Sequence, residues 1–90
     1  MNTQLSDWRA AIDVVDGQLL TLLNLRAKLA GELVKVKREQ GLGIVDLERE
    51  REVLHRICRG NQGPLNEAAL TRIWVRIMRE ARKVQASARE

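Results

Sequence analysis

LSDWRAAIDVVDGQLLTLLNLRAKLAGELVKVKRE, residues 5–39, carries apolar side chains at alternating intervals of three and four residues. That spacing places them along one side of a helix more than four heptads long. We call this set the apolar seam; it comprises Leu5, Trp8, Ile12, Val15, Leu19, Leu22, Leu29, Leu33 and Val36. Glycines at positions 41 and 43 are typical of a helix end. The segment therefore predicts a long N-terminal helix from about residue 6 to residue 39.

Two shorter helices are predicted after it. Asp46 is a favourable N-cap residue for a second helix that ends near Arg59, and Asn66 is one for a third helix that ends after Gln85. The composition, rich in Leu, Ala, Glu, Arg and Lys and without Phe or Tyr, disfavours strands. We expect an all-α fold of three helices in a single domain, residues 1–90. The third helix should bury Leu70, Ile73, Trp74, Ile77, Met78, Ala81 and Val84.

The length of the first helix indicates an assembly. The helix should be about 50 Å long at 1.5 Å per residue, whereas a compact 90-residue chain is roughly 30 Å across. Two short helices cannot cover an apolar seam of that length. We expect a dimer or a larger assembly that buries the protruding part. The alternative is a long helix that kinks near Gly17.

Composition and charge narrow the class of partner. The net charge is +4, which favours an anionic partner, either a polymer or a metabolite. Cys58 is the only cysteine and His55 the only histidine, so we expect no intrachain disulfide, no metal site and no metal cofactor. No apolar run approaches the roughly 18–20 residues of a membrane span, and the N-terminus does not resemble a signal peptide. We expect a cytoplasmic protein with no membrane partner.

A cation interrupts the apolar seam at position 26. Arg26 is either a polar residue that sets helix register or a guanidinium that binds an anion, since a buried lone cation needs a carboxylate. Lys37 lies 11 residues further, about 20° beyond three full turns, so it shares a face with Arg26 about 16 Å away. The pair could hold a small dianion. Arg9 lies about 26 Å before Arg26 on another face, so only an antiparallel partner helix could bring it there. For Lys37 and Arg9, a solvated surface charge is the simpler interpretation.

Polar residues of the shorter helices lie beside this pair. Glu50 falls on the inner stripe of the second helix, where it either forms a salt bridge to Arg26 or Arg49 or contacts a ligand. Asp46 most simply caps the helix. Gln85 lies on the inner flank of the third helix and can donate to a buried acceptor without bringing charge. Its simpler interpretation is a polar residue at a fraying end.

In this order, these residues resemble the AroQ class of chorismate mutases, over about residues 5–86. The resemblance rests on Trp8-Arg9, Ile12-Asp13, Asp16, residues 22–26, Lys35-Val36-Lys37, residues 46–50, and Arg72-Ile73-Trp74 followed by Gln85. The segment GPLNEAAL, residues 63–70, also resembles mutase domains that open bifunctional prephenate dehydratases. The resemblance implies an intertwined homodimer whose two active sites, each built from both chains, convert chorismate to prephenate.

The resemblance also implies a role for each cleft residue. Arg26 and Arg9 of the partner subunit would hold the two carboxylates of chorismate. Lys37 would contact a carboxylate and the ether oxygen, and Gln85 would donate to that same ether oxygen.

The remaining implied contacts lie around the ring of the substrate. Glu50 would accept from the ring hydroxyl, and Asp46 and Arg49 would complete that wall. Ala81 stands where some members carry a serine that assists a carboxylate, so we expect a modest loss of binding there. The rearrangement needs no nucleophile, proton shuttle, metal or cofactor, and the sequence has no catalytic triad spacing, Gly-rich phosphate loop or metal motif.

Three other functions compete with a mutase. One is isochorismate-pyruvate lyase, although the block of Asp46, Arg49 and Glu50 favours a mutase. A second is a regulatory mutase-like domain that binds chorismate or prephenate as an effector. A third is a nucleic-acid binder that uses a basic stripe on the third helix, for which a solvated face is the simpler interpretation. The basic stripe comprises Arg72, Arg76, Arg79 and Lys83.

Overall fold

The computed structural model describes residues 3–87, and these residues form three helices. The helices are α1 (Thr3–Glu39), α2 (Leu47–Gly60) and α3 (Glu67–Ser87). No strand occurs between residues 3 and 87. The predicted all-α fold with three helices and a long first helix is therefore confirmed. The first helix begins three residues earlier than predicted, because nothing between Thr3 and Ser6 interrupts helical backbone.

α1 is one uninterrupted helix through Gly17, and Gly41 follows its last residue, Glu39, by two positions. Its 37 residues correspond to about 55 Å, and the described chain is an elongated body of 61 × 29 × 15 Å. At its end, Gly41 adopts a φ of 70°, a conformation that glycine tolerates best. The Leu42 N–H donates to the Lys37 carbonyl at 2.8 Å and the Gly41 N–H to the Arg38 carbonyl at 3.1 Å, which is a Schellman motif.

Side-chain caps begin both shorter helices, as predicted. The Arg49 N–H donates to Oδ1 of Asp46 at 3.0 Å, and the Ala69 N–H donates to Oδ1 of Asn66 at 2.8 Å. Each bond satisfies a backbone donor that has no partner within its own helix. These caps fix where α2 and α3 start, and therefore which residues of each helix reach the centre of the fold.

The core is small and is centred on α3, which packs against both α1 and α2. Among the described residues, the buried hydrophobic ones are Val34, Leu70, Met78 and Ala81. Around Val34, the covered face of α1 carries the short side chains of Ala27, Ala30 and Gly31. Short side chains at a helix contact allow a close approach of the two axes. α3 therefore packs on this face, one position away from Leu33 of the apolar seam.

The predicted core of α3 is only partly confirmed. Leu70, Met78 and Ala81 are buried and Trp74 and Ile77 are half-buried, as expected. The prediction was wrong for two others, since 42% of Ile73 and 59% of Val84 is exposed. Both line a groove of about 620 Å³ between α1 and α3 that nothing in the described chain fills. They are apolar, yet a single chain does not cover them.

The N-terminal half of α1 is also uncovered. Every residue from 4 to 25 is exposed, including the apolar seam up to Leu22, and the exposed fraction of Trp8 is 65%. A continuous apolar surface of this kind marks an interaction site in a folded protein. In the described part of the chain, no helix combines the length and apolarity needed to cross a bilayer.

Candidate active site

A cleft opens where α1, α3 and the start of α2 meet. It is lined by seven of the eight side chains that the sequence singled out: Arg26, Lys37, Asp46, Arg49, Glu50, Ala81 and Gln85. They come from all three helices, and the caps and packing described above bring them together. The structure thus collects on one surface residues that are up to 59 positions apart between Arg26 and Gln85.

The two cations of α1 face this cleft without an acidic partner. Arg26 and Lys37 are both half-buried. Within residues 3–87, no carboxylate lies within 4.0 Å of either. The Lys37 ammonium donates only a long hydrogen bond of 3.5 Å, to the carbonyl of Ile44. A half-buried cation that lacks a protein carboxylate favours an anionic ligand.

Asp46 and Arg49 lie at the start of α2. The Asp46 side chain caps the helix, as its simplest interpretation predicted. The Arg49 guanidinium pairs along its own helix with Glu52, at 2.5 Å between Nη1 and Oε1, and 46% of its side chain is exposed. Both residues form the rim of the cleft rather than its floor.

Glu50 points inward, as its position in the stripe predicted, but its partner differs from the expected one. Its Oε2 accepts a hydrogen bond from Nη1 of Arg82, on α3. Neither Arg26 nor Arg49, the two partners considered from sequence, pairs with it. Arg82 also lines the cleft and was missed by the sequence analysis. A signal was available, because Met78, Arg82 and Gln85 fall on one stripe of α3.

Ala81 and Gln85 lie on successive turns of α3 at the cleft. Ala81 is 8% exposed and brings no polar atom to this wall. Gln85 is half-buried, and among the described residues its amide makes no hydrogen bond. A neutral amide in this position can donate to an acceptor on a bound molecule.

Arg9 is the predicted residue that the structure does not bring to the cleft. It is exposed on the uncovered half of α1, about 26 Å along the helix from Arg26. The cleft of one chain has a volume of about 110 Å³, below the roughly 300–1,000 Å³ of typical ligand sites. One chain alone therefore forms an open, partial site.

The basic stripe runs along α3, and two of its residues, Arg72 and Arg76, line the groove between α1 and α3. Glu80 pairs with two of its cations, at 3.0 Å from Nε of Arg76 and 3.2 Å from Nζ of Lys83. The hydrogen bond from Lys83 lowers the pKa of the Glu80 carboxyl, and the charges of Lys83, Arg76 and Arg79 act in the same direction. The charge of the basic stripe is partly neutralised by Glu80, and none of its four residues lines the cleft. Within the described residues, no cluster of His, Cys, Asp and Glu could hold a metal ion.

Together, the described helices and the cleft define an all-helical class of protein whose cleft holds a neutral amide and two cations without a carboxylate partner in residues 3–87. Comparison with known proteins assigns the chain to a family within this class. The family model described as chorismate mutase type II matches residues 8–86, so the chain belongs to that family. The resemblance drawn from the sequence motifs is confirmed.

Two relatives are bifunctional chorismate mutase/prephenate dehydratases. That of Aquifex aeolicus is 38% identical over 79 residues, which cover 83% of this chain and 22% of the relative. That of Neisseria gonorrhoeae is 40% identical over 78 residues, which cover 86% of this chain and 21% of the relative. The chain therefore spans about a fifth of the length of these relatives.

Shorter proteins are similar as well. A chorismate mutase of Methanocaldococcus jannaschii is 35% identical over 57 residues, which cover 63% of this chain and 58% of that protein. Among solved structures, the chorismate mutase (form I) of Thermus thermophilus superposes with a TM-score of 0.85 at 27% identity. The superposition covers 87% of this chain and 98% of that one, so the three-helix arrangement corresponds to nearly the whole of that mutase chain.

Proposed function

We propose that this chain is a chorismate mutase that acts as a homodimer, with residues 1–90 forming one mutase domain. The observation that carries the proposal is the placement of Arg26 and Lys37. Both are half-buried, neither has a carboxylate partner in the described chain, and both face one cleft with the amide of Gln85. Chorismate carries two carboxylates and an ether oxygen, which match two cations and a neutral donor.

The reaction is an intramolecular rearrangement. The ether C–O bond of chorismate breaks while a C–C bond forms between the enolpyruvyl methylene carbon and the ring, and no proton is gained or lost. The protein therefore needs to fold the enolpyruvyl arm over the ring and to stabilise the negative charge that grows on the ether oxygen. Holding reacting groups together contributes up to about 7–11 kcal/mol in favourable cases.

The carboxylates of the substrate are held by arginines. Arg26 binds one of them from the floor of the cleft, and Arg9 of the partner subunit binds the other. Bidentate contacts between guanidinium and carboxylate fix direction as well as distance. These two contacts hold the enolpyruvyl arm near the geometry in which the new bond forms.

The ether oxygen is stabilised by Lys37 and Gln85. Each donates a hydrogen bond to the atom on which charge accumulates, so each bond is stronger in the transition state than in the ground state. A preorganised donor of this kind contributes about 3–4 kcal/mol. Glu50 accepts a hydrogen bond from the ring hydroxyl, and Asp46 and Arg49 complete that wall. Ala81 leaves one substrate carboxylate without a hydroxyl donor.

Three observations support the dimer. The apolar seam is exposed along its whole length from Leu5 to Val36, the groove beside Ile73 and Val84 is open, and the cleft of one chain is small and open. A second copy whose α1 runs antiparallel covers the seam and the groove. The same arrangement brings Arg9 of the partner subunit to Arg26. One contact therefore accounts for an apolar surface, a cavity and an incomplete site.

Two measurements test this proposal. Purified protein should consume chorismate, followed by loss of its absorbance, and its mass in solution should be that of a dimer. Isochorismate assayed in parallel separates a mutase from an isochorismate-pyruvate lyase. Saturable binding of chorismate without turnover would instead indicate a regulatory domain, and retention on a polyanion column without turnover would indicate a nucleic-acid binder. A monomer would contradict the shared site.

A further inference from the structure

The ion pair between Glu50 and Arg82 differs from every other ion pair in the described chain. The other five join residues three or four positions apart on one helix, and all of their side chains are 46–66% exposed. Such pairs contribute little to stability. Glu50 and Arg82 are 32 positions apart, link α2 to α3, and are 26% and 36% exposed. This pair is thus built by the tertiary structure and lies in the cleft wall.

The contact engages one side of the Glu50 carboxylate. Arg82 donates to Oε2, and within the described residues Oε1 receives no hydrogen bond. A carboxylate accepts through both oxygens, so Oε1 remains available to a hydroxyl group on a bound molecule. Arg82 therefore fixes the orientation of the carboxylate without occupying all of it.

We propose that Arg82 is a positioning residue for the substrate, acting through Glu50. It holds the Glu50 carboxylate against α3 and directs Oε1 toward the ring hydroxyl of chorismate. This inference rests on the proposed function. It adds a residue that binds no part of the substrate itself and that determines how strongly the ring hydroxyl is recognised.

The test compares Arg82→Met with Arg79→Met. Both replace an arginine of α3 with an uncharged side chain of similar length, but Arg79 is exposed and lies outside the cleft. Arg82→Met should lower kcat/KM for chorismate about tenfold, a typical coupling between groups in contact. Arg79→Met should stay within about twofold of the wild type. Arg82→Lys, which keeps a charge, should recover part of the loss. Circular dichroism and mass in solution accompany each variant.

A second substrate separates positioning from a purely structural role. The analogue of chorismate that lacks the ring hydroxyl cannot use Glu50, so Arg82→Met should lose about tenfold on chorismate and almost nothing on the analogue. In a Glu50→Gln background, Arg82→Met should have little further effect on chorismate. If Arg82→Met does not fold, the same comparison is made with Arg82→Lys, whose smaller loss should also be confined to chorismate.

Several results would overturn the inference. Unchanged kcat/KM in Arg82→Met, equal losses on both substrates, or additive losses with Glu50→Gln would each show that Arg82 does not position Glu50. These results leave wild-type turnover intact. Wild-type protein without any turnover of chorismate is a different failure, that of the proposed function, and the inference fails with it.

Discussion

Arg26 and Lys37 are 11 residues apart on α1 and line the same cleft, and neither has a carboxylate partner among the described residues. Eleven residues advance the helix by about 16 Å and return it to within about 20° of its starting direction. The rigid backbone of one helix therefore sets the separation of the two cations. This geometry suits a ligand with negative groups at two ends.

Lys37→Ala should abolish most of the turnover of chorismate while the dimer remains folded. The ammonium is the charged donor nearest the proposed ether oxygen, and removing one such donor lowers kcat by about 100- to 1,000-fold. Lys35→Ala is the matched control, because Lys35 is exposed on the same helix and pairs with Glu32. Initial rates and mass in solution check both variants. An undiminished rate for Lys37→Ala would refute its role.

Gln85→Glu should make activity dependent on pH. The new carboxyl can donate a hydrogen bond to the ether oxygen only while it is protonated, so activity should fall as pH rises and the proton is lost. The wild-type amide does not titrate, and the wild-type rate should vary little across neutral pH. Gln62→Glu, in the exposed loop before α3, is the control. Equal activity of Gln85→Glu at high and low pH would count against the ether-oxygen contact.

Mixing two inactive variants should restore activity. Arg9→Ala and Arg26→Ala each damage both sites of a homodimer. A mixed dimer has one site in which the Arg9 and Arg26 side chains are both intact. Random exchange of chains should restore roughly a quarter of the wild-type sites, since half of the dimers are mixed and each has one intact site. Rates before and after unfolding and refolding of the mixture test this.

The mixing experiment also has a clear contrary outcome. If mass analysis finds mixed dimers but the rate does not rise above that of the separate variants, Arg9 does not act across the interface. Refolding each variant alone is the control for gains caused by the treatment itself.

Ala81→Ser should improve substrate binding. The added hydroxyl can donate a hydrogen bond to a substrate carboxylate, a contact that Ala81 cannot make. One such hydrogen bond should lower KM about fivefold. Ala68→Ser, on the exposed side of the first turn of α3, is the control. KM and kcat are measured for both. A KM for Ala81→Ser equal to that of the wild type would mean that this face of α3 does not approach a carboxylate.

Local features of this structure could be read directly from the sequence. The side chains of Asp46 and Asn66 each accept a hydrogen bond from the backbone N–H three residues further along. The Schellman motif at Gly41 also spans only a few residues. Such contacts depend on neighbours in the chain, so sequence patterns report them. The placement of Arg26 and Lys37 on one face was predictable for the same reason, because a single helix sets it.

Contacts between helices were harder to predict. The sequence pattern did not indicate which face of α1 contacts α3; in the structure, α3 packs on the face that contains Val34, beside the apolar seam. The face that a helix uses for packing depends on how closely the two helices can approach, and small side chains on both helices allow a close approach. Glu50 was correctly placed on the inner side of α2, yet its partner is Arg82 rather than Arg26 or Arg49.

The amino-acid sequence alone predicted the three helices, their ends, the family, and a set of polar side chains suited to a small dianion. Helical periodicity and capping are short-range properties, which explains this success. Only the three-dimensional packing revealed that those side chains share one cleft, that Glu50 forms an ion pair with α3, and that the N-terminal half of α1 is exposed. These contacts depend on how helices that are distant in the chain are rotated and spaced relative to one another. Many long-range side-chain contacts together determine that rotation and spacing.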